Sequence, residues 1–217
     1  LDMYGWKKIE ILRGTKIDLT NTDNQLKNIL SSNDDIFIDE DEKPCLLMVV
    51  MKQWQRLDKI ISIFEHAKKV IVIKAGNMSL GINILTCLVE RISSSLDLDF
   101  DVEILEMHHR HKVDAPSGTA LMLGEAVARG KGKKLQELRV AARDGISESR
   151  EDGTIGFASL RGGGIVGEHE VSFTSGTERI SIKHEAFSRD IFVNGAIKAA
   201  LWSKEKEPEP GLYDMLD

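Results

Sequence analysis

Cysteine is scarce: Cys45 and Cys87 are the only two in 217 residues. They lie in separate apolar runs, with no C-x-x-C and no paired spacing. That excludes a disulfide framework and a cysteine-based zinc site. Two buried free thiols in a reducing compartment are expected. Long apolar runs are also missing, and nothing approaches the roughly 18 uninterrupted apolar residues of a membrane helix. An excess of positive charge is absent too. Lys and Arg number 29 against 35 Asp and Glu, for a net charge of -6. The surface as a whole is therefore not built for nucleic acid or an anionic membrane. Any site for an acidic ligand must be a local basic pocket. The opening LDMYGWKKIE lacks a signal-peptide apolar core and lacks Arg/Ser-rich transit character, so the cytoplasm is the expected location. The first residue is Leu rather than Met, so the chain reads as a fragment or trimmed form.

What remains is an ordinary globular composition, 41% hydrophobic and 6% aromatic, long enough for a real core. The first eighty residues read as alternating α/β. Asp34 to Asp39 is a short candidate strand. Leu46 to Met51, LLMVVM, is a continuous apolar run of the kind covered on both faces. Leu57, Ile60, Ile61 and Phe64 recur at helical spacing, and Val70 to Ile73 is a second buried strand. Strand, helix and strand with short connections imply a parallel βαβ unit. A helix follows through Ile82, Leu85, Val89, Ile92 and Leu96, capped by Asn77 or Ser79.

The texture then changes. Phe100 to His111 reads as a strand entering a polar tip. A helix is expected from about Ser117 to Arg129, with Gly130 as its stop. From Thr154 onward, Ile155/Phe157, Val171/Phe173 and Ile180/Ile182/His184 each step by two, with Gly-rich turns between them. A last helix is expected near Val193 to Trp202, and KEKEPEP after it reads as a solvated loop. The fold class is α/β: an incomplete Rossmann-like parallel-sheet domain from residues 1–79 and 190–217, and an α+β domain with an open mixed sheet from 80–189.

The chemistry concentrates between Glu106 and Thr119, EMHHRHKVDAPSGT. His108, His109 and His111 are three of the six histidines. A bland reading makes them an exposed basic strand end. A metal site is disfavoured: no Cys accompanies the histidines, no carboxylate–His spacing repeats, and Arg110 and Lys112 would repel a cation. The next residues change the balance. Pro116 ends the strand, Ser117 is a good N-cap, and Gly118 lets a ligand approach the backbone. The first-turn N–H groups of the helix make an anion site. Thr119 adds a hydroxyl. With Lys112 and His109 beside that turn, the pocket is a carboxylate clamp, and a histidine and a lysine next to a bound anion can act as proton donors.

Gly162 to Gly167, GGGIVG, matches G-x-G-x-x-G. The context is wrong, because a dinucleotide fingerprint needs a helix after it and EHEVSFT alternates like a strand. It reads as a turn near the ligand.

These residues carry a family resemblance. EMHHRHKVDAPSGTA, ARDG at 142–145, SLRGGGIVGEHEVSF at 159–173 and SRDIFVNGAIKAALW at 188–202 closely resemble 4-hydroxy-tetrahydrodipicolinate reductase (dihydrodipicolinate reductase) of lysine and diaminopimelate biosynthesis. The similarity runs from about Gly76 to the C-terminus. It implies hydride transfer from NADPH or NADH to a cyclic dicarboxylate imine. It makes His108 and Lys112 the catalytic proton-handling groups, and His109, Ser117, Gly118 and Thr119 the substrate-binding residues. Ala75, Gly76, Asn77 and Met78 would line the nicotinamide, with Arg189 and Phe192 near the cofactor. It also implies a homotetramer paired through the sheet of the substrate domain, with no nucleic acid and no membrane as partner.

The first segment departs from the family. The family's opening G-x-x-G-x-M-G turn has no counterpart: Gly5 and Gly14 are isolated. Where the family has I-D-F-T and G-T-T-G, this chain has Ile38-Asp39-Glu40-Asp41 and Met51-Lys52-Gln53-Trp54. Acidic residues beside a pyrophosphate would repel it. The expectation is an intact substrate half joined to an eroded cofactor half. The alternative is a non-catalytic dicarboxylate-binding or assembly protein descended from the enzyme.

Overall fold

The computed structural model describes residues 9–10, 46–50, 67–141, 143–146 and 148–217, the segments 9–10 and 46–50 by their backbone alone. The expected strand at 34–39, the helix through Leu57 and Phe64, Cys45, Gly5 and Gly14 lie outside the described residues. The chain is α/β and divides into two compact units. One comprises Leu1–Met78 with Phe192–Asp217, the other Ser79–Ile191.

In the first unit the sheet order is β1 (Ile9–Glu10), β2 (Leu46–Val50), β3 (Ile71–Ala75) and β9 (Gly211–Tyr213). β2 and β3 are parallel, as the two apolar runs imply, with Leu46 opposite Ile71 and Val50 opposite Ala75. β1 is antiparallel to β2. The C-terminal segment overturns part of the sequence reading. The last helix runs over Asp190–Lys206, so KEK belongs to it rather than to a loop. Gly211–Tyr213 then pairs parallel to β3. Three residues are too few to show a period, so this strand was invisible in the sequence. Ile73, Ala75, Met78, Ala196 and Ala199 form the local core, with Phe192, Trp202 and Tyr213 packed against it. The Trp202 and Tyr213 rings meet edge to face at 5.2 Å.

The second unit begins with α1 (Leu80–Ser93), capped by Ser79, whose hydroxyl accepts the Ile82 N–H. β4 (Asp101–His108) follows, then α2 (Gly118–Gly130) and a single turn, α3 (Leu135–Leu138). β5 (Arg139–Val140), β6 (Ile155–Arg161), β7 (Gly167–Thr174) and β8 (Arg179–Ala186) complete it, and the last helix is α4. The sheet order is β5-β6-β4-β7-β8, parallel from β5 through β6 to β4 and antiparallel beyond. α1 and α2 bury Leu85, Val89, Leu123 and Val127 in one core with Val102, Ile104, Ile155, Phe157, Val171 and Phe173 of the sheet.

Three local expectations are corrected. β4 ends at His108, and His109 to Lys112 form a turn rather than more strand, closed by the Lys112 N–H on the His109 carbonyl. Gly130 ends α2 from within the helix rather than as a left-handed residue beyond it. It is the last helical residue, where a Cβ would lie 2.6 Å from the Glu90 carbonyl oxygen and 2.7 Å from the Ser93 Cβ. Its lack of a side chain lets α1 and α2 approach. Cys87 is exposed, because α1 turns Leu85, Thr86 and Val89 inward and leaves position 87 facing out.

Along β4 the residues at 102, 104, 106 and 108 are buried, and along β7 those at 167, 169, 171 and 173. The cross-strand pairs are Val102 with Phe173, Ile104 with Val171, then Glu106 with His169. One face of one sheet therefore changes from hydrocarbon to ionisable groups in a single step of two residues. The site begins where the core ends.

Gly124 tests this packing. A Cβ there would sit 2.5 Å from the Phe157 Cζ and 3.2 Å from a Leu135 methyl. Gly124→Ala gains helix propensity yet should destabilise by about 1–3 kcal/mol through overpacking, read as a lower denaturant midpoint by circular dichroism.

Candidate active site

Glu106 is the centre of the arrangement. Its residue exposure is 1%, and four groups, from Arg161, His108, Ser117 and Ser159, converge on its carboxylate. The Arg161 guanidinium binds both oxygens, at 2.8 and 2.7 Å. The His108 Nδ1 lies 2.5 Å from Oε2. The backbone N–H of Ser117 donates to Oε1 at 3.2 Å. Burial alone would raise the carboxyl pKa, but hydrogen bonds from His108, Arg161 and Ser159 override it and hold the group down at about 2. Glu106 is ionised.

Arg161 does more than neutralise Glu106. It also donates to the backbone carbonyls of Lys112 at 3.3 Å and Asp114 at 2.6 Å. One guanidinium thus ties the end of β6 to the loop that carries the DAPSGT residues, with the planar fork geometry that a lysine lacks. Within that loop the Ala115–Pro116 peptide is cis. Ser117 then caps α2, its hydroxyl accepting the Ala120 N–H at 3.1 Å, as its sequence position implies. The same hydroxyl lies 3.0 Å from His169 Nε2. Burial, then the charge of His108, pushes the His169 pKa down to about 3, so the ring is neutral and shares one hydrogen bond with the serine hydroxyl.

Lys112 is paired with Asp114, Nζ to the two carboxylate oxygens at 2.9 and 3.0 Å. His109 is partly exposed in the turn, and its ring lies 6.3 Å from that of His111. Its pKa is lowered by burial and then by the positive charges of Arg189, His108, His111 and Lys112. Gly118 is exposed at the start of α2, with Thr119 half-buried behind it. The glycine-rich loop joins β6 to β7 with no helix after it, as the strand-like EHEVSFT requires. Gly162 donates to the His108 carbonyl, and the Gly163 carbonyl accepts the Arg110 N–H, so the loop is laced to the end of β4. Gly163 takes φ +50.

The structure thus brings His108, Lys112, Ser117, Gly118 and Thr119 together around the entry to α2, with His109 in the adjoining turn. Arg189 is exposed, and its charge reaches His109. Ala75 closes β3 in the other unit, Gly76 is exposed, and Asn77 and Met78 are buried. Met78 and Phe192 share that unit's apolar cluster. Sequence reasoning missed Glu106, Arg161 and His169. A signal for the first existed: Glu106 and His108 continue the inward parity of Val102 and Ile104, and a carboxylate at a core position demands a cation.

A family model described as "Dihydrodipicolinate reductase, C-terminus" matches residues 81–217. The chain belongs to the dihydrodipicolinate reductase family. The 4-hydroxy-tetrahydrodipicolinate reductase of Cereibacter sphaeroides strain ATCC 17029 is 56% identical over 161 residues, covering 74% of this chain and 58% of that protein. Its namesake in Brucella melitensis is also 56% identical with the same coverage, and that of Dinoroseobacter shibae is 54% identical over 151 residues. The chain thus spans just over half the length of these relatives. A similar fold occurs in dipicolinate-bound dihydrodipicolinate reductase from Paenisporosarcina sp. TG-14, with a TM-score of 0.55 and 22% identity over 78% of this chain and 63% of that one.

The two most strongly perturbed groups, His169 and Glu106, shape how this reductase-family site responds to acid. His169 has its folded pKa lowered from 6.5 to about 3, so the unfolded state binds more protons between those values and stability falls as pH drops through that window. Glu106 is lowered from 4.5 to about 2, so its contribution is present above 4.5 and lost as pH falls towards 2. Acid unfolding should therefore start near pH 6.5 and steepen below 4.5. His169→Gln should flatten the upper part alone, measured as denaturant midpoints across pH.

Proposed function

We propose that this chain carries out, or supplies the substrate half of, the NADPH- or NADH-dependent reduction of 4-hydroxy-tetrahydrodipicolinate to tetrahydrodipicolinate in lysine and diaminopimelate biosynthesis. The observation that carries the reading is the Glu106–Arg161 network that ties His108 and the loop of Lys112 to the start of α2, in a chain 56% identical over 161 residues to an enzyme of that name. The second unit, with its mixed sheet, is the substrate-binding and oligomerisation domain; the first is the Rossmann-like cofactor domain.

A cyclic dicarboxylate presents two anionic groups. The start of α2 offers oriented peptide dipoles at Gly118 and Thr119, Lys112 adds positive charge, and His109 adds a ring N–H donor. The Asp114 carboxylate holds the Lys112 ammonium in place until substrate arrives. His108 and Lys112 are the groups positioned to hand a proton to the ring as it is reduced. The bound dicarboxylate of the Paenisporosarcina enzyme supports this ligand class.

A nicotinamide cofactor would supply the hydride. Ala75 to Met78 suits that group: the segment leaves the carboxyl end of β3 in a parallel pair, where such sheets bind ligands, and Gly76 is exposed there. Phe192 and Arg189 complete the proposed cofactor set. The exposed Leu105 and Leu160 on the outer face of the second sheet, 37% and 47% accessible, favour self-association through that face into a tetramer. No helix among the described residues is long and apolar enough to cross a membrane; the cytoplasm is the proposed location.

A second reading, a dicarboxylate-binding protein without catalysis, rests on the lack of a G-x-x-G-x-M-G turn in the first 75 residues. Nicotinamide absorbance separates the two: mixing the chain with NADPH or NADH and freshly formed substrate should consume the reduced cofactor. Unchanged absorbance with retained dicarboxylate binding would select the second reading. Lys112→Ala should weaken binding of pyridine-2,6-dicarboxylate by roughly tenfold or more, measured calorimetrically; unchanged affinity would remove Lys112 from the clamp.

A further inference from the structure

We propose that Glu106 is a positioning residue for the reaction: one carboxylate oxygen fixes His108 in the tautomer that carries hydrogen on Nδ1, while the other sets the distance from that ring to the start of α2. The proposal rests on the reading of His108 as a proton-handling group. Its geometry stands independently.

An ionised carboxylate only accepts hydrogen bonds. At 2.5 Å from Oε2, His108 Nδ1 must be the donor. The ring's second nitrogen, Nε2, is then the atom where a proton is gained or lost. That nitrogen faces Gly167, where a Cβ would lie 3.1 Å from it, so any other residue would crowd the reactive side of the ring. The neutral His169 ring stands edge-on to His108 at 5.1 Å and closes another side. With Oε2 bound to His108 and Oε1 to the Ser117 N–H, a single rigid group spans from the proton donor to the anion-binding turn. The two Arg161 bonds keep the carboxylate from rotating between its partners. The buried pair therefore does more than neutralise charge: it orders a ring and a helix start relative to each other, as a base's orienting carboxylate does in other proton-transfer sites.

The decisive readout is the tautomer, observed by nuclear magnetic resonance on the full chain labelled with ¹⁵N-histidine, with the His108 signals assigned by their loss in His108→Asn. Wild type should show hydrogen on His108 Nδ1, with a strongly downfield proton resonance. A His108 with bare Nδ1 and hydrogen on Nε2 would overturn the proposal. Glu106→Gln should lose the downfield resonance and lower kcat by roughly a hundredfold, while KM and the affinity for pyridine-2,6-dicarboxylate change less than about threefold. Equal losses in kcat and dicarboxylate affinity would mean a merely structural role and would overturn it too. If Glu106→Gln does not fold, the wild-type spectrum decides alone. If the wild-type chain turns nothing over, the reductase reading fails, and the spectrum still judges the role of Glu106.

Discussion

A carboxylate buried at the end of a hydrophobic core cannot stay there alone, and the site of this protein is organised around that constraint. Glu106 occupies a position that β4 would otherwise give to a branched apolar residue. An ionised group so placed costs several kcal/mol unless it is paired and hydrogen-bonded. Arg161 supplies the pairing, and His108, Ser117 and Ser159 supply further bonds. Those partners are the means by which the loop, the helix start and the imidazole come to share one place. Removing either ion would leave the other buried and uncompensated, so the interaction is valuable for the geometry it specifies more than for net stability.

The same constraint explains the layout of the second unit. Apolar pairs between β4 and β7 give way to Glu106 and His169 in one step. The apolar end holds α1 and α2 against the sheet, and the polar end presents the α2 N-terminus. The helix is anchored at one end by Leu123 and Val127 and aimed at the other by Ser117, whose hydroxyl serves the Ala120 N–H and His169 together. A rigid core and a hydrogen-bonded entry thus meet on a single strand, which is how a site is held to sub-ångström tolerance.

Much of this was legible in the sequence. The α1 periodicity, the Ser117 cap, the strand pairs stepping by two and the misleading glycine run all follow from local rules. What escaped has a common cause. The pairing of Glu106 with Arg161 spans 55 residues, and nothing in the local pattern around LRGGG says which carboxylate that arginine meets. His169 was readable only as the inward member of an alternating strand. β9 is three residues long and exists because β3 offers it an edge, a tertiary reason with no local trace. Cys87 was misjudged because an apolar neighbourhood in sequence spreads over both faces of a helix.

The account's central claim is that a dicarboxylate sits between the His109–Lys112 turn and the start of α2, with His108 facing it. A crystal structure of this chain with pyridine-2,6-dicarboxylate tests it most directly. The account predicts one carboxylate on the Gly118–Thr119 backbone, the Lys112 ammonium turned from Asp114 towards the ligand, and the ring within reach of His108 Nε2. A dicarboxylate bound elsewhere, or a Lys112–Asp114 pair undisturbed beside it, would contradict it.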